Sequence, residues 1–360
     1  MNRSNSGVNL RALRGHNAAV VLDLLRGAGR EGVSRLELAE RTGLTPQAVS
    51  KITARLRDEG LVADAGRRAS TGGKPAAALR LVPGAGFAVG LHLDRDALLA
   101  VLVDLAGGVV AERRAPLDFG AGADAVVAAG AEAAGALAAA ASGGVLGVGV
   151  ALPGPLDHAT GVLHRVTGFP SWDGYPLRDA LAARLGGLPV AVDKDTNAAA
   201  LGLALGGAAE SFAYLHLGTG LGAGLVLGGG LHRGARTGAG EFGHQVVRLD
   251  GPPCACGDRG CLEALCLAAV ASGDLGEAAR VLGVGAGNLV SLLDIDLVLL
   301  GGRTVAAAPD LFVRGVGAVV AARARREGAR AAAGVALAPG GERGVAEGAA
   351  QLILAPVFGR

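Results

Sequence analysis

A chain of 360 residues, 51% apolar and 18% charged, is long enough for two or three domains with substantial cores, and its composition excludes a disordered chain. The formal net charge of +2 hides an asymmetry, because residues 1–80 carry 14 Lys and Arg against 7 Asp and Glu, and residues 81–360 carry 20 against 25. A basic head on a mildly acidic body points to phosphate as a partner of the head and not of the body. Residues 1–17 are polar and basic, and no apolar run of about 18 residues free of Gly or charge follows. Neither a secretion signal nor a membrane span is indicated, and a cytoplasmic location is expected.

The head, residues 1–82, reads as a winged helix-turn-helix. Residues 17–26 place Val20, Val21, Leu24 and Leu25 at helical spacing. Ser34-Arg35-Leu36-Glu37 is a capping box that opens a second helix through Arg41, which Gly43 ends. Thr45-Pro46 supplies an N-cap and a proline at the first position of a third helix, with Val49, Ile52 and Leu56 as its buried stripe and Gly60 as its stop. Away from that stripe fall Gln47, Ser50, Lys51 and Arg55, which suit a recognition helix entering a major groove; an ordinary solvated face is the alternative. Val62, the Gly66-Arg67-Arg68 and Gly72-Gly73-Lys74-Pro75 segments and the apolar residues 77–82 predict a two-stranded wing. Its cations Arg67, Arg68 and Lys74 suit backbone phosphate.

The body, residues 83–360, predicts strands at 87–93, 98–104 and 109–114, then an Ala-rich helix within 121–141 lying over a sheet, then a strand at 145–152. Strands return at 190–192, 212–217 and 224–227, and again at 296–300 and 335–337, with helices between. A three-strand meander followed by alternating strands and helices, occurring twice, is the layout of two ribonuclease H-like α/β lobes around a cleft. Lobe one is expected over about residues 83–189 plus a C-terminal helix, and lobe two over about 190–340.

The stretch 240–263 reads Gly-Glu-Phe-Gly-His and, nine residues on, Cys-x-Cys-Gly-Asp-Arg-Gly-Cys-Leu-Glu. His244, Cys254, Cys256 and Cys261 make one imidazole and three thiolates, a set that suits structural tetrahedral zinc with no position left for water. A disulfide is the weaker alternative, since a Cys-x-Cys pair closes a strained ring. Cys266 sits in an apolar run and reads as a core thiol.

With these motifs in hand the chain resembles the ROK family of repressors, uncharacterised proteins and sugar kinases, which share the actin-like ATPase (sugar-kinase) fold. The likeness rests on the head with its Gly-Gly-Lys-Pro segment, Gly149-Val150-Ala151-Leu152-Pro153-Gly154-Pro155, Asp195-Thr196-Asn197-Ala198-Ala199-Ala200, Gly218-Thr219-Gly220-Leu221-Gly222, the cysteine run and Leu297-Val298-Leu299-Leu300-Gly301-Gly302. It implies a sugar site in which Asp195 matches the kinases' catalytic base and Glu241, His244 and Glu263 match further sugar contacts. Asp195 also reads as a cap for a helix starting near Asn197, and the two glutamates as helix-terminus or surface carboxylates.

Where the family's kinases carry a small-residue phosphate loop, this chain has His92, Asp94, Arg95 and Asp96. Two carboxylates there repel a triphosphate, and amides can no longer approach it. The glycines of 218–222 and 301–302 then read as turns kept for backbone geometry. Two further departures are Lys194, where the family has asparagine, and Gly168; Lys194 could exclude neutral hexoses or favour a phosphorylated or acidic sugar. The segment 261–301 is shorter than the family layout, which predicts that helices covering lobe two are missing. The expectation is a non-enzymatic, zinc-containing, sugar-responsive repressor that binds operator double-stranded DNA as a homodimer or dimer of dimers, with a sugar or sugar phosphate as effector and no membrane partner. The alternative is an ATP-dependent, glucokinase-like sugar kinase with an appended DNA-binding head.

Overall fold

The computed structural model describes residues 10–67, 77–328 and 331–360. The head comprises α1 (Leu10–Ala28), β1 (Val33–Ser34), α2 (Arg35–Thr42), α3 (Pro46–Asp58), β2 (Val62–Arg67) and β3 (Ala77–Leu81), with the strands paired in the order β1-β3-β2. Its helix ends are set by local chemistry. Ser34 Oγ accepts from Glu37 N at 3.2 Å while Glu37 Oε2 accepts from Ser34 N at 2.8 Å, and Gly43 leaves α2 at φ 68°. Thr45 Oγ1 accepts from Ala48 N at 3.2 Å, capping α3 ahead of Pro46. In α3 the buried stripe is Val49, Thr53 and Leu56; Ile52 is half-buried. Thr53 is tolerated inside because its hydroxyl donates to Val49 O at 2.9 Å.

Among the described residues the core of the head is continuous with that of the body. Val21, Leu25, Leu38, Val49, Leu56 and Leu79 share one apolar cluster with Val101, Val103, Ala346, Leu354 and Phe358 of the body. Burying these faces against one another makes the head part of the body's packing.

The body begins with β4 (Phe87–Leu93), β5 (Ala97–Asp104) and β6 (Val109–Pro116), an antiparallel meander, then α4 (Ala123–Ala140) and β7 (Val145–Leu152). A short hairpin, β8 (Leu156–Asp157) and β9 (Val162–Leu163), precedes α5 (Leu177–Arg184), β10 (Val190–Lys194) and α6 (Asp195–Leu205). Next come β11 (Phe212–Leu217), β12 (Leu221–Leu227), β13 (Gly230–Leu231), α7 (Leu262–Ala271), α8 (Leu275–Leu293), β14 (Leu297–Gly301), α9 (Arg303–Ala307), α10 (Pro309–Arg326), β15 (Gly334–Leu337) and α11 (Gly344–Leu354).

One sheet runs β10-β7-β4-β5-β6 and the other β13-β12-β11-β14-β15. In each, the first strand of a meander takes a parallel neighbour on its free edge and a second parallel strand beyond that. The same arrangement is therefore built twice, which makes a two-lobed ribonuclease H-like body.

Two expectations need correction. Lobe two does not begin at residue 190, because β10 pairs in parallel with β7 from Val190↔Val148 to Lys194↔Leu152 and completes the first sheet. Nor is lobe two left uncovered after Cys261. Helices α7 and α8 fill that segment, and Leu282, Ala286 and Leu289 of α8 pack in one cluster with Phe312, Val316 and Val320 of α10.

Helix α4 is long and apolar enough to cross a membrane by length and composition; here it lays Val126, Val127, Ala133, Ala134 and Leu137 on the first sheet. Helices α6 and α11 cross between the lobes at backbone contact. A Cβ on Gly348 of α11 would overlap the Ala198 carbonyl of α6, and one on Gly90 of β4 would overlap the Ala346 carbonyl. Only glycine permits that approach.

Candidate effector cleft and metal cluster

The cleft opens where the ends of β4, β7 and β10 face the β11–β12 turn and the start of α7, and all four candidate ligand-binding residues line it: Asp195, Glu241, His244 and Glu263. Asp195 is the first residue of α6, not a cap for a later start, and its Oδ1 accepts from Thr196 N at 2.6 Å. Burial pushes its carboxyl above the usual range, against the opposing pull of His216. The residue that organises this corner is Asp193, which accepts from Lys194 N at 2.8 Å, Asn197 Nδ2 at 2.8 Å and Arg233 Nε at 2.7 Å.

Glu263 is buried in the first turn of α7 and accepts from Leu221 N at 2.8 Å, so it is not a surface carboxylate. Glu241 is exposed, with Oε1 3.1 Å from Lys194 Nζ. Lys194 Nζ also donates to the Ala239 carbonyl. That ammonium is thus engaged by two protein oxygens.

The turn between β4 and β5 bonds to the opposite lobe. Asp94 Oδ1 accepts from Arg95 N at 2.7 Å and from Thr219 Oγ1 at 3.0 Å, and Asp96 Oδ2 lies 2.7 Å from Arg303 Nη1. Burial would raise the Asp94 carboxyl, but His92, the Arg95 amide and the Thr219 hydroxyl hold it below the usual carboxylate range. Burial also pushes His92 down to about 4, opposed by Asp94. His92 is therefore neutral near pH 7, and its Nε2 is buried without a partner. A Cβ on Gly301 would come 2.5 Å from the Tyr214 hydroxyl oxygen.

His216 escaped the sequence reading. It faces His92 edge-on with ring centroids 6.4 Å apart, and its Nδ1 lies 2.9 Å from the Tyr214 hydroxyl. Tyr214 and His216 alternate on β11 just before Gly218-Thr219-Gly220, so two polar residues at period two in an apolar strand were the available signal.

His244, Cys254, Cys256 and Cys261 bring their ligand atoms within 4.8 Å of one another. Cys254 Sγ is 3.7 Å from His244 Nδ1, and Cys256 Sγ is 3.7 Å from Cys261 Sγ. A tetrahedral ion with metal–sulfur bonds of about 2.3 Å requires sulfur–sulfur edges of about 3.8 Å. The four residues fit such an ion, and all four cysteines are free thiols. Val247 N bonds to Gly260 O at 3.0 Å and Leu262 N to Gln245 O at 2.9 Å. The cluster therefore ties the turn carrying Glu241 and His244 to the start of α7, which carries Glu263. Cys266 is a buried core thiol, pushed up to about 12 by burial.

On the head, Gln47, Ser50, Lys51 and Arg55 are exposed on the face of α3 opposite Val49, Thr53 and Leu56. Arg55 pairs with Glu59 at 3.7 Å, an exposed pair worth little and easily exchanged for phosphate. The Arg67 side chain, Arg68 and Lys74 lie outside the described residues.

A winged-helix head packed on a two-lobed body with a sugar-kinase cleft defines a class in which DNA recognition and small-molecule binding share one chain. Residues 21–63 match the winged helix-turn-helix DNA-binding model, and residues 88–274 match that of the ROK family. The chain belongs to the ROK family. Its relatives include the xylose repressor of Bacillus subtilis (strain 168), 29% identical over 64% of this chain and 61% of the relative. Among solved structures, a ROK family transcriptional regulator described as a homologue of the E. coli MLC protein covers 96% of this chain and 97% of its own, with a TM-score of 0.77 at 22% identity. A ROK family glucokinase from Streptomyces griseus, in complex with glucose and AMPPNP, covers 74% of this chain and 99% of its own, with a TM-score of 0.65 at 27% identity.

Proposed function

We propose that the protein is a sugar-responsive DNA-binding repressor of carbohydrate uptake or catabolism genes, acting in the cytoplasm as a homodimer. The observation that carries this reading is a pairing: an exposed cationic helix face on a head that shares its core with the body, and a cleft that keeps its carboxylates while its phosphate-loop position is taken by Asp94 and Asp96. Gln47, Ser50, Lys51 and Arg55 of α3 contact the operator, with Arg67, Arg68 and Lys74 of the wing on backbone phosphate. Asp195, Glu241, His244 and Glu263 bind the effector.

His244, Cys254, Cys256 and Cys261 hold structural zinc, which supplies a fixed crosslink and no chemistry at the effector. His244 ligates through Nδ1, the nitrogen near Cys254, and leaves its other nitrogen for the ligand or its surroundings. Effector binding shifts DNA affinity through differential contacts in two states, typically by about 1–3 kcal/mol.

The test is fluorescence anisotropy of the metal-loaded protein on DNA upstream of its own gene, with and without a panel of free and phosphorylated sugars. A sugar-dependent change in affinity supports the reading, and absence of DNA binding at moderate salt sinks it. A kinase would instead release ADP with one of those sugars and lose turnover on Asp195→Asn.

A further inference from the structure

The loop 233–240 of lobe two runs from just after β13 to Glu241. It closes on itself where Ala239 N donates to the Arg233 carbonyl at 3.1 Å, and seats on β12 where Ala223 N donates to the Gly240 carbonyl at 3.0 Å. It is also tied to lobe one at three points. Arg233 Nε donates to the buried Asp193 Oδ2 at 2.7 Å, the Ala239 carbonyl accepts from Lys194 Nζ, and Thr237 meets His158 in the turn between β8 and β9. In that last tie Thr237 Oγ1 accepts from His158 N at 3.3 Å and lies 2.8 Å from His158 Nδ1.

Thr237 stands apart from its neighbours in the loop. Gly234, Ala235, Arg236 and Gly238 are exposed, whereas Thr237 is 2% exposed. Its φ is 58°, a left-handed conformation that strains a β-branched residue and that glycine takes freely. Glycines stand at 234, 238 and 240, yet a threonine holds this position, and the feature that distinguishes it from them is a hydroxyl bonded across the lobes. Strained backbone persists only where surrounding contacts hold it, and such positions cluster at binding and switch segments. Opening the loop relieves the Thr237 backbone and breaks its bonds to His158, so strain favours release and hydrogen bonding favours closure.

Building on the sugar-responsive reading, we propose that Thr237 is a positioning residue of effector binding: its hydroxyl latches the loop 233–240 of lobe two to His158 of lobe one and thereby holds Glu241, which follows that loop directly, in place for the effector. Thr237 touches no effector itself. It acts through the loop, whose far end is fixed by Gly240 against the Ala223 carbonyl, where a Cβ would come within 2.0 Å. An effector that contacts Glu241 binds the latched state better than the released one, and so draws the two lobes into one arrangement.

The test compares the full-length, metal-loaded native protein with Thr237→Val, which keeps the branched shape and loses the hydroxyl, and Thr237→Ser, which keeps the hydroxyl. Hydrogen exchange followed by mass spectrometry reads the latch without any ligand. Thr237→Val should speed exchange in peptides spanning 233–240 by about 3- to 10-fold, the scale of one lost hydrogen bond, and Thr237→Ser should stay within about twofold of native. Calorimetric titration with D-xylose and D-glucose reads the positioning. Whichever of these the native chain binds should bind Thr237→Val about 3- to 10-fold more weakly and Thr237→Ser nearly as the native chain does, while DNA affinity without sugar changes less than about twofold in either variant. Thermal melts report loss of fold, and His158→Ala, placed in an exposed turn, carries the comparison if Thr237→Val unfolds. Native exchange and native sugar affinity in folded Thr237→Val would overturn the proposal, as would Thr237→Ser behaving like Thr237→Val. If exchange depends on the hydroxyl but neither sugar binds the native chain or alters its DNA affinity, the sugar-responsive reading fails and the positioning role falls with it.

Discussion

The Arg26 guanidinium near the end of α1 donates to Gln351 Oε1 on α11 at 3.0 Å, joining the head to the helix that runs between the lobes. Arg26 also donates to the Ala106 carbonyl at 3.2 Å and lies 4.7 Å over the Phe358 ring, while Arg360 closes on Asp23 at 2.7 Å. Helix α11 packs along α6, whose first residue is Asp195. The effector cleft and the head are thus linked by two helices in backbone contact and one guanidinium. Rigid packed elements of this kind carry a displacement instead of absorbing it.

Arg26→Ala is expected to leave α3 able to bind DNA but to blunt the effector's influence on it. Where the native chain shows the five- to 150-fold change typical of coupled sites, roughly threefold or less should remain. Anisotropy titrations with and without effector check this. A variant with full effector response would show that the coupling runs elsewhere.

Cys256→Ser should release the metal and loosen the loop that carries Glu241 and His244, because three ligands no longer close the tetrahedron. Metal content falls first, effector affinity drops on the order of 10-fold or more by analogy with lost supporting shells, and DNA affinity without effector changes least. Elemental analysis with parallel sugar and DNA titrations distinguishes these steps.

The pH dependence of stability follows from His92, whose ionisation is pushed down to about 4 by burial. In the unfolded chain it takes up a proton near pH 6.5. Between about pH 6.5 and 4 the unfolded state therefore binds more protons, and stability falls as pH drops, by at most about 1.4 kcal/mol per pH unit. Asp94, held low, extends the loss below that window, and Asp195, held high, offsets part of it. Urea melts at about pH 7, 5.5 and 4.5 should show this slope, flattened in His92→Gln.

Gly348→Ala is expected to cost about 1–3 kcal/mol or more, since its Cβ meets the backbone carbonyl of Ala198 and backbone cannot move as a side chain can. The same variant pries α11 from α6, so effector response should weaken along with the melting temperature. A neutral substitution would mean that the two helices separate easily.

Much of the fold was legible because its signals are local. The Ser34–Glu37 box, Thr45-Pro46 and Gly43 mark helix ends through bonds within a few residues, and the strands 87–93, 145–152 and 212–217 run where continuous apolar stretches placed them. The His and Cys cluster that could hold a metal was legible for the same reason, as its four side chains all lie between residues 244 and 261 and converge once that loop closes. Spacing put Ile52 in the buried stripe of α3, but the structure buries Thr53 and leaves Ile52 half-buried, since a threonine enters a core when its hydroxyl finds a carbonyl, here that of Val49.

Chain order thus established a basic winged-helix head, two α/β lobes and a thiol-rich loop. Folding decided the pairings between distant segments. Strand β10 joined the first sheet because β7 offered it a free parallel edge. Asp94 and Asp96, which read as mere repulsion for phosphate, became ties to Thr219 and Arg303 across the lobes. Folding also set Glu241 and the Ala239 carbonyl beside Lys194, and α11 brought Gln351 to Arg26. A charge or hydrogen-bonding group announces its chemistry in the sequence, but its partner is chosen by which surfaces pack, and packing is a property of the whole chain.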